Sequence, residues 1–559
     1  MISAYDNFIK LAIEKKPANQ ADFLVLKKSI SKKLRLPLPT NADLREIYER
    51  LIKERKIRRD VNFEQTMLAK RIRTESGVAV VAVLTKAYSC PGKCIYCPEE
   101  KDMPKSYLSN EPAVMRAITA EFDPYIQVQN RLRALELNGH KTDKIELIVM
   151  GGTFSCLPKD YQKWFIDECF RAANDFPRAL SPLAKGPIKL IFDAGKMKDG
   201  VLSAQLLFQQ KRNERARHRI VGLTLETRPD YIDKKEIINF RNLGATRVEL
   251  GVQSVFDDVL KKNRRGHTVK RTVQATKLLK DAGFKINYHI MPGLPGSDLK
   301  KDYQTFKILF SNPDFQPDIL KIYPTVVLKG SKLYDIWKKG KYIPLTDKQF
   351  EKLILKIKNN LIPPYVRIMR LIRDVPIPSI VAGPKITNMR QLIAPDSRCQ
   401  CIRCREVRAD YIPKEKIILD RINYKASGGQ EIFLQFVSKD KKKLFALLRL
   451  RIPQYPRQIG LKISIKSADI KISAKSAVLK NAAIIREVHT YGKMTEINKN
   501  DKNSPQHEGL GKKLIAEAER ITKYEFGLKN IAVISGVGVR GYYRKLGYRL
   551  KDTYMVKSI

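Results

Sequence analysis

The sequence predicts an α/β protein in which a partial (β/α)6 barrel is followed by a smaller α+β domain and preceded by a basic helical segment. Three observations predict it. Short apolar runs alternate six times with amphipathic helical stretches after about residue 76, the pattern of β/α units that form a curved parallel sheet. The runs end in glycines and polar residues, where such sheets place their working groups. From about residue 411 the pattern changes to a long apolar hairpin, a helix and short strands. At 559 residues the chain is too long for one core, and its divisions are expected at 1–75, 76–385, 386–410 and 411–559.

Residues 1–75 read as mostly helical and very basic, KKSISKKLRLPLP and LIKERKIRRD being the densest stretches. In ADLREIYERLIKERKI, Leu44, Ile47, Leu51 and Ile52 recur at spacings of three and four, which leaves basic residues on the opposite side. The strand candidates that follow are VAVVAVLT, KIELIVMGG, HRIVGLTLET, TRVELGVQS, KINYHIMPG and DILKIYPTV. Gly151, Gly152 and Thr153 close the second, Glu226, Thr227 and Arg228 the third, Glu249, Gln253 and Ser254 the fourth, and Pro292 and Gly293 the fifth. At Gly151 and Gly152 the missing side chain lets backbone carbonyls approach a ligand amino group.

Cys90, Cys94 and Cys97, spaced CxxxCxxC in AYSCPGKCIYCPEE, follow the first strand. Zinc generally wants four ligands in paired spacings, and the nearest histidine is His140. Three thiolates instead leave a [4Fe-4S] cluster one protein ligand short. The open iron is suited to chelating S-adenosylmethionine before reductive cleavage to a carbon radical. Cys399, Cys401 and Cys404, spaced CxCxxC in SRCQCIRCREV, form a second cluster in the 386–410 linker. Structural zinc with a fourth ligand from elsewhere is the leading reading there, ahead of a second iron–sulfur cluster or three unliganded thiols.

Lys and Arg number 107 against 58 Asp and Glu, a net charge of +49 that points to a polyanionic partner, most often nucleic acid. MISAYDNFIKLAIEKK has no signal-peptide core, and no run of 18 apolar residues suggests a membrane span. Clustered cysteines suit metal binding in a reducing cytoplasm better than disulfides. In the C-terminal part, Gln506, Gly509 and Gly511 open a helix after a strand and loop. Glycines there expose backbone N–H groups that can seat a pyrophosphate, and Lys512 and Lys513 add positive charge. Tyr542 and Tyr543, in YYRKLGY, stand where a phenol could meet the thioester end of the same ligand, although core packing explains at least one of them.

That order resembles the Gcn-five-related N-acetyltransferase (GNAT) fold, which binds acetyl-CoA. The pairing with a radical S-adenosylmethionine barrel resembles the catalytic subunit of Elongator and its stand-alone archaeal and bacterial relatives. Its signatures are DKIELIVMGGTF, LTLETRPDYI, RVELGVQSV, NRRGHTVK, KIYPTVVLKGSKLYDIWKKGKY, IREVHTYG, QHEGLGKKL and ISGVGVRGYYRKLGY. The resemblance implies that Lys144 touches acetyl-CoA from the barrel, and that Glu487, Val488, His489 and Thr490 lie along its pantetheine arm. It further implies that Leu510, Gly511 and Lys512 hold the pyrophosphate and that Tyr543 reaches the thioester.

The implied reaction carboxymethylates C5 of a tRNA wobble uridine. A 5′-deoxyadenosyl radical takes hydrogen from the acetyl methyl, the carbon radical adds to C5, and thioester hydrolysis follows. The carbon–carbon step demands no general base. The implied partners are a tRNA anticodon stem-loop held by Lys and Arg of the N-terminal segment and barrel rim, and an electron donor; oligomeric state stays open, a homodimer among the options. The competing classes are a protein lysine acetyltransferase with a structural barrel and a tRNA-binding scaffold without chemistry.

Overall fold

Four helices open the chain in the computed structural model, which describes residues 2–67, 77–176, 199–408, 415–453, 481–492 and 509–559. They are α1 (Ile2–Glu14), α2 (Gln20–Lys33), α3 (Asn41–Lys53) and α4 (Val61–Met67). Thr40 and Asp43 cap α3 reciprocally, satisfying N–H groups that a helix start leaves orphaned. Leu44 and Leu51 bury their side chains with Tyr48, against Phe8, Phe23 and Phe63, in a core separate from the barrel's. Lys28, Lys32, Lys33 and Arg35, then Lys53, Arg55, Lys56, Arg58 and Arg59, stay exposed. Glu46 of α3 meets Arg133 of helix Pro124–Leu137 at 3.2 Å, joining this bundle to the barrel.

The barrel strands are β1 (Ala79–Leu84), β2 (Lys144–Met150), β3 (Arg219–Thr227), β4 (Arg247–Gln253), β5 (Lys285–Ile290) and β6 (Ile319–Ile322). A short β7 (Val327–Leu328) then leads to β8 (Arg367–Arg370), and β9 (Ile380–Ala382) pairs back on β7. The main sheet runs β1-β2-β3-β4-β5-β6-β8 and every pairing in it is parallel. The six expected strands are there, and β8 is a seventh. It escapes a pattern search because its four residues, Arg-Ile-Met-Arg, offer no apolar run.

Strand periodicity explains an unusual interior. Along β2, Ile145, Leu147 and Val149 are buried under the outer helices, while Lys144, Glu146, Ile148 and Met150 line an inner cavity. The same alternation turns Arg247, Glu249 and Gln253 of β4, Lys285 and His289 of β5 and Lys321 of β6 inward. The lumen is therefore charged, unlike a barrel filled by apolar side chains.

The C-terminal part is a second seven-stranded sheet. Its strands are β10 (Ile417–Ala426), β11 (Gly429–Ser438), β12 (Leu444–Ile452), β13 (Ala482–Thr490), β14 (Asn530–Val533), β15 (Arg549–Lys551) and β16 (Tyr554–Ser558), in the order β10-β11-β12-β13-β14-β16-β15. All pairings are antiparallel except β13–β14. A parallel pair needs a crossover, which here contains helix Leu510–Arg520. Strand β13 pairs with β14 only over Ala482–Ile485, so the two strands part beyond that point.

This sheet seats on the N-terminal ends of the barrel strands. Gly536 lies so close to Val221 that a Cβ would overlap its carbonyl. Arg486 bonds both Asp318 of the barrel and Glu431 of the sheet, and Arg451 bonds Asp281 and Glu431. Burial would raise the Asp318 carboxyl, but the Arg486 and Lys280 charges hold it well below the carboxylate range. Buried charges persist when each finds a partner, as these do. Among the described residues no helix is long and apolar enough to cross a membrane.

Candidate active site

The loop after β1 lies across the barrel mouth. Ile95 N–H donates to the Asn263 carbonyl at 3.3 Å, and Leu333 N–H donates to the Ile95 carbonyl at 2.8 Å. Cys90, Cys94 and Cys97 of this loop all line the inner cavity. Arg265 Nη1 approaches Cys94 Sγ at 3.4 Å. A hydrogen bond from Cys97 and, against burial, the Arg265 charge draw the Cys94 thiol down to about 4, while the Cys97 thiol is pushed up. Arg228 bonds Asp230 and the Arg265 carbonyl, yet its buried Nη1 has no partner among the described residues, and a Cβ at Gly92 would overlap it. Two guanidinium groups thus face three thiols, a donor set and a charge environment that fit a thiolate-held iron–sulfur cluster.

At the neighbouring strand ends, Gly151 has φ of 134° and a Cβ there would run into Thr85 Oγ1. Gly152 lines the cavity. Gln253 holds φ of 70°, a strained value for a residue with a side chain, and its buried Oε1 has no partner among the described residues. Glu249 is fully buried and its carboxylate is shared by Asn287 Nδ2 at 3.1 Å, His289 Nε2 at 2.9 Å and the Lys321 ammonium. Any contact it makes with a ligand passes through those partners.

The cavity measures about 1260 Å³ and is continuous from the cysteine loop, through the lumen, to the C-terminal sheet. Lys144 lines it at the start of β2, where burial pushes its ammonium below the ordinary range. At the far end are Glu487, Val488, His489 and Thr490 of β13, Gly509, Gly511 and Lys512 at the helix start, and Tyr542 and Tyr543. A Cβ on Gly511 would sit 3.4 Å from Tyr542 Oη, 3.6 Å from Thr490 Oγ1 and 3.9 Å from Val488 Cγ1, so these groups converge where β13 and β14 part. Gly509 enters the helix in the left-handed conformation, Lys512 is exposed, and Leu510 anchors the helix in the sheet's core.

The two tyrosines divide. Tyr543 is buried with Tyr548 in that core, whereas Tyr542 is the one beside Gly511. The Glu487 side chain belongs to the domain contact; burial would raise its carboxyl, but Lys285 at 3.3 Å and Arg449 at 2.8 Å hold it down at about 2. Gln506 lies outside the described residues.

Among the described residues, two groups of three potential metal ligands gather within 4.8 Å: Cys399, Cys401 and Cys404, and Glu226, Glu249 and His289. Cys94 and Cys97 are hydrogen-bonded to each other, but with Cys90 they do not gather as a trio within that distance. Cys399 and Cys401 are buried and Cys404 is exposed. Hydrogen bonds from the two neighbouring thiols hold the Cys401 thiol well down. The linker that carries this cluster clamps both domains, through Ile402 N–H to the Val366 carbonyl at 2.9 Å and Val407 N–H to the Leu444 carbonyl at 3.0 Å.

Sequence reasoning had not singled out Arg265, Tyr107, His289 or Lys321. Tyr107 donates to Glu226 Oε2 at 2.8 Å. His289 and Lys321 are legible in principle as alternate positions of strands that end at a site.

Residues 84–306 match the Radical SAM superfamily and residues 317–398 the Radical_SAM C-terminal domain. The tRNA uridine(34) acetyltransferase of Methanocaldococcus infernus is 44% identical over 508 residues, spanning 88% of this chain and 87% of that protein. That of Dehalococcoides mccartyi is 43% identical over 500 residues, spanning 88% and 100%. The Elongator complex protein 3 of Homo sapiens is 39% identical over 511 residues, spanning 88% and 86%. The solved structure of the archaeal Methanocaldococcus infernus Elp3 with an N-terminal deletion superposes with a TM-score of 0.68 at 40% identity, covering 87% of this chain and 100% of that one.

Proposed function

Because this chain belongs to the family of tRNA uridine(34) acetyltransferases and Elongator complex protein 3, we propose that it is a radical enzyme that carboxymethylates the wobble uridine of tRNA at C5. Its radical SAM domain implies a [4Fe-4S] cluster and S-adenosylmethionine. When bound, these supply a 5′-deoxyadenosyl radical able to take hydrogen from an unactivated methyl group. Cys90, Cys94 and Cys97 would hold the cluster, with Arg228 and Arg265 balancing its charge and Gly151, Gly152 and Gln253 shaping the seat beside it.

The observation that carries the reading is the single cavity with cysteines at one end and a glycine-opened helix at the other. Acyl transfer to a protein lysine would have no use for that connection. Acetyl-CoA fits the second end: N–H groups at the start of helix Leu510–Arg520, with Lys512, suit its pyrophosphate, and β13 can lie along its arm. Lys144 would approach it from the barrel. Tyr542, beside Gly511, stands at the pyrophosphate end, which leaves Tyr543, lining the cavity from the core, as the phenol for the thioester.

Exposed lysines and arginines of α2, α3 and the turn after it are the proposed contacts to anticodon phosphates, in the cytoplasm where tRNA is modified. For Cys399, Cys401 and Cys404 we read zinc, because thiolates on one tetrahedral ion lie about 3.8 Å apart, given Zn–S of about 2.3 Å, and these three gather within 4.8 Å.

The test is anaerobic reconstitution with acetyl-CoA, S-adenosylmethionine, a reductant and tRNA, comparing the natural protein with Cys94→Ala. The reading expects 5-carboxymethyluridine from the first alone. Equal product from both, or acetylated peptide in place of modified tRNA, overturns it.

A further inference from the structure

On the barrel strands that line the cavity stands a charged group that nothing above uses. Glu249 is 0% exposed and takes His289 Nε2 at 2.9 Å. The Lys321 ammonium bridges Glu249 and Glu226, lying 3.8 Å from the latter, and Tyr107 donates to Glu226 at 2.8 Å. Glu226, Glu249 and His289 have the spacing of metal ligands, but Lys321 already occupies the cation's place between the two carboxylates. What remains is a carboxylate–imidazole pair. An ionised carboxylate only accepts, so Nε2 bears a proton, and in the neutral imidazole Nδ1 then carries the lone pair. Among the described residues Nδ1 has no hydrogen-bond partner, and the ring lines the cavity with an edge against Tyr323.

The reaction has a step that needs such a group. When the carbon radical adds to C5, that carbon becomes tetrahedral and keeps its hydrogen, while the unpaired electron moves to C6. Restoring the C5=C6 double bond requires loss of a proton from C5 and of one electron. A cluster held by Cys90, Cys94 and Cys97 would supply the acceptor for that electron, having given one to cleave S-adenosylmethionine, so no further oxidant is needed.

We propose that His289 Nδ1 removes the C5 proton of the wobble uridine, with Glu249 and Lys321 as positioning residues: Glu249 fixes the tautomer and Lys321 fixes Glu249. The position suits this role, because the acetyl methyl must meet first the 5′ carbon and then C5 of the base, so all three come together inside the cavity that His289 lines. The inference rests on the proposed function.

The experiment uses the full-length, anaerobically reconstituted protein with tRNA tritiated at C5 of the wobble uridine. The natural protein should release tritium to water as 5-carboxymethyluridine and 5′-deoxyadenosine form. In His289→Asn, 5′-deoxyadenosine should still form within a few-fold of normal, while tritium release falls by roughly 100-fold or more. Added imidazole should restore release in His289→Ala. Glu249→Gln, which leaves the His289 tautomer unfixed, should lower tritium release while 5′-deoxyadenosine still forms, and Lys321→Met should do the same to a smaller degree. Tritium release from His289→Asn at the normal rate overturns the proposal. So does equal loss of 5′-deoxyadenosine and tritium release with no rescue by imidazole. Absence of 5-carboxymethyluridine with the natural protein strikes instead at the proposed function.

Discussion

The two cysteine triads use the same residue three times and differ in nearly everything else. Cys399, Cys401 and Cys404 gather within 4.8 Å on a linker that is bonded to both domains. Cys90, Cys94 and Cys97 face a cavity of about 1260 Å³ and are met by two arginines. On the proposed reading the linker triad holds the fold, and the triad beside the cavity does chemistry.

That contrast can be broken at either triad. The largest effect is expected at Cys94→Ala, which should abolish 5′-deoxyadenosine formation and the cluster's absorbance while leaving the melting temperature within a few degrees of normal. Cys401→Ala should do the reverse, keeping the absorbance but losing bound zinc by elemental analysis and lowering the melting temperature by about 5–10 °C, a cost of a few kcal/mol. If the two variants exchange these phenotypes, the assignment of roles fails.

Two smaller effects lie away from both triads. Replacing Lys28, Lys32, Lys33 and Arg35 by alanine should weaken tRNA binding by roughly tenfold or more near physiological salt and flatten its salt dependence, seen by gel shift at several salt concentrations, with both metal contents intact. The smallest is a pH effect on the domain contact. Glu487 titrates near 2 in the fold against its ordinary 4.5, so the contact it makes is fully present above pH 4.5 and is lost as pH falls toward 2. A shift of that size corresponds to about 3 kcal/mol. Glu487→Gln should remove this slope from acid unfolding followed by circular dichroism, and an unchanged slope would show the carboxylate to be silent.

The parts of this molecule that follow from local pattern were legible. Strand β2 alternates and ends in two glycines; the cysteine spacing names its cluster; α3 carries its apolar stripe. What stayed hidden depends on register and distance. Strand β8 is too short and too charged to read as a strand. Arg265 meets Cys94 across 171 residues, and Arg486 meets Asp318 across 168, separations that no spacing rule covers. Tyr542 and Tyr543 are adjacent in sequence yet divide between a slot and a core, which only the turn of their short helix decides. His289 looked like one histidine among six until the sheet set it beside Glu249.

The central claim is that one cavity lets chemistry begun at Cys90, Cys94 and Cys97 reach the methyl group of a ligand whose pyrophosphate is held at Gly511. Turnover with acetyl-CoA deuterated at the acetyl methyl, followed by mass spectrometry of the nucleoside, tests it most directly. The account predicts 5′-deoxyadenosine carrying one deuterium. Unlabelled 5′-deoxyadenosine formed alongside 5-carboxymethyluridine would contradict it.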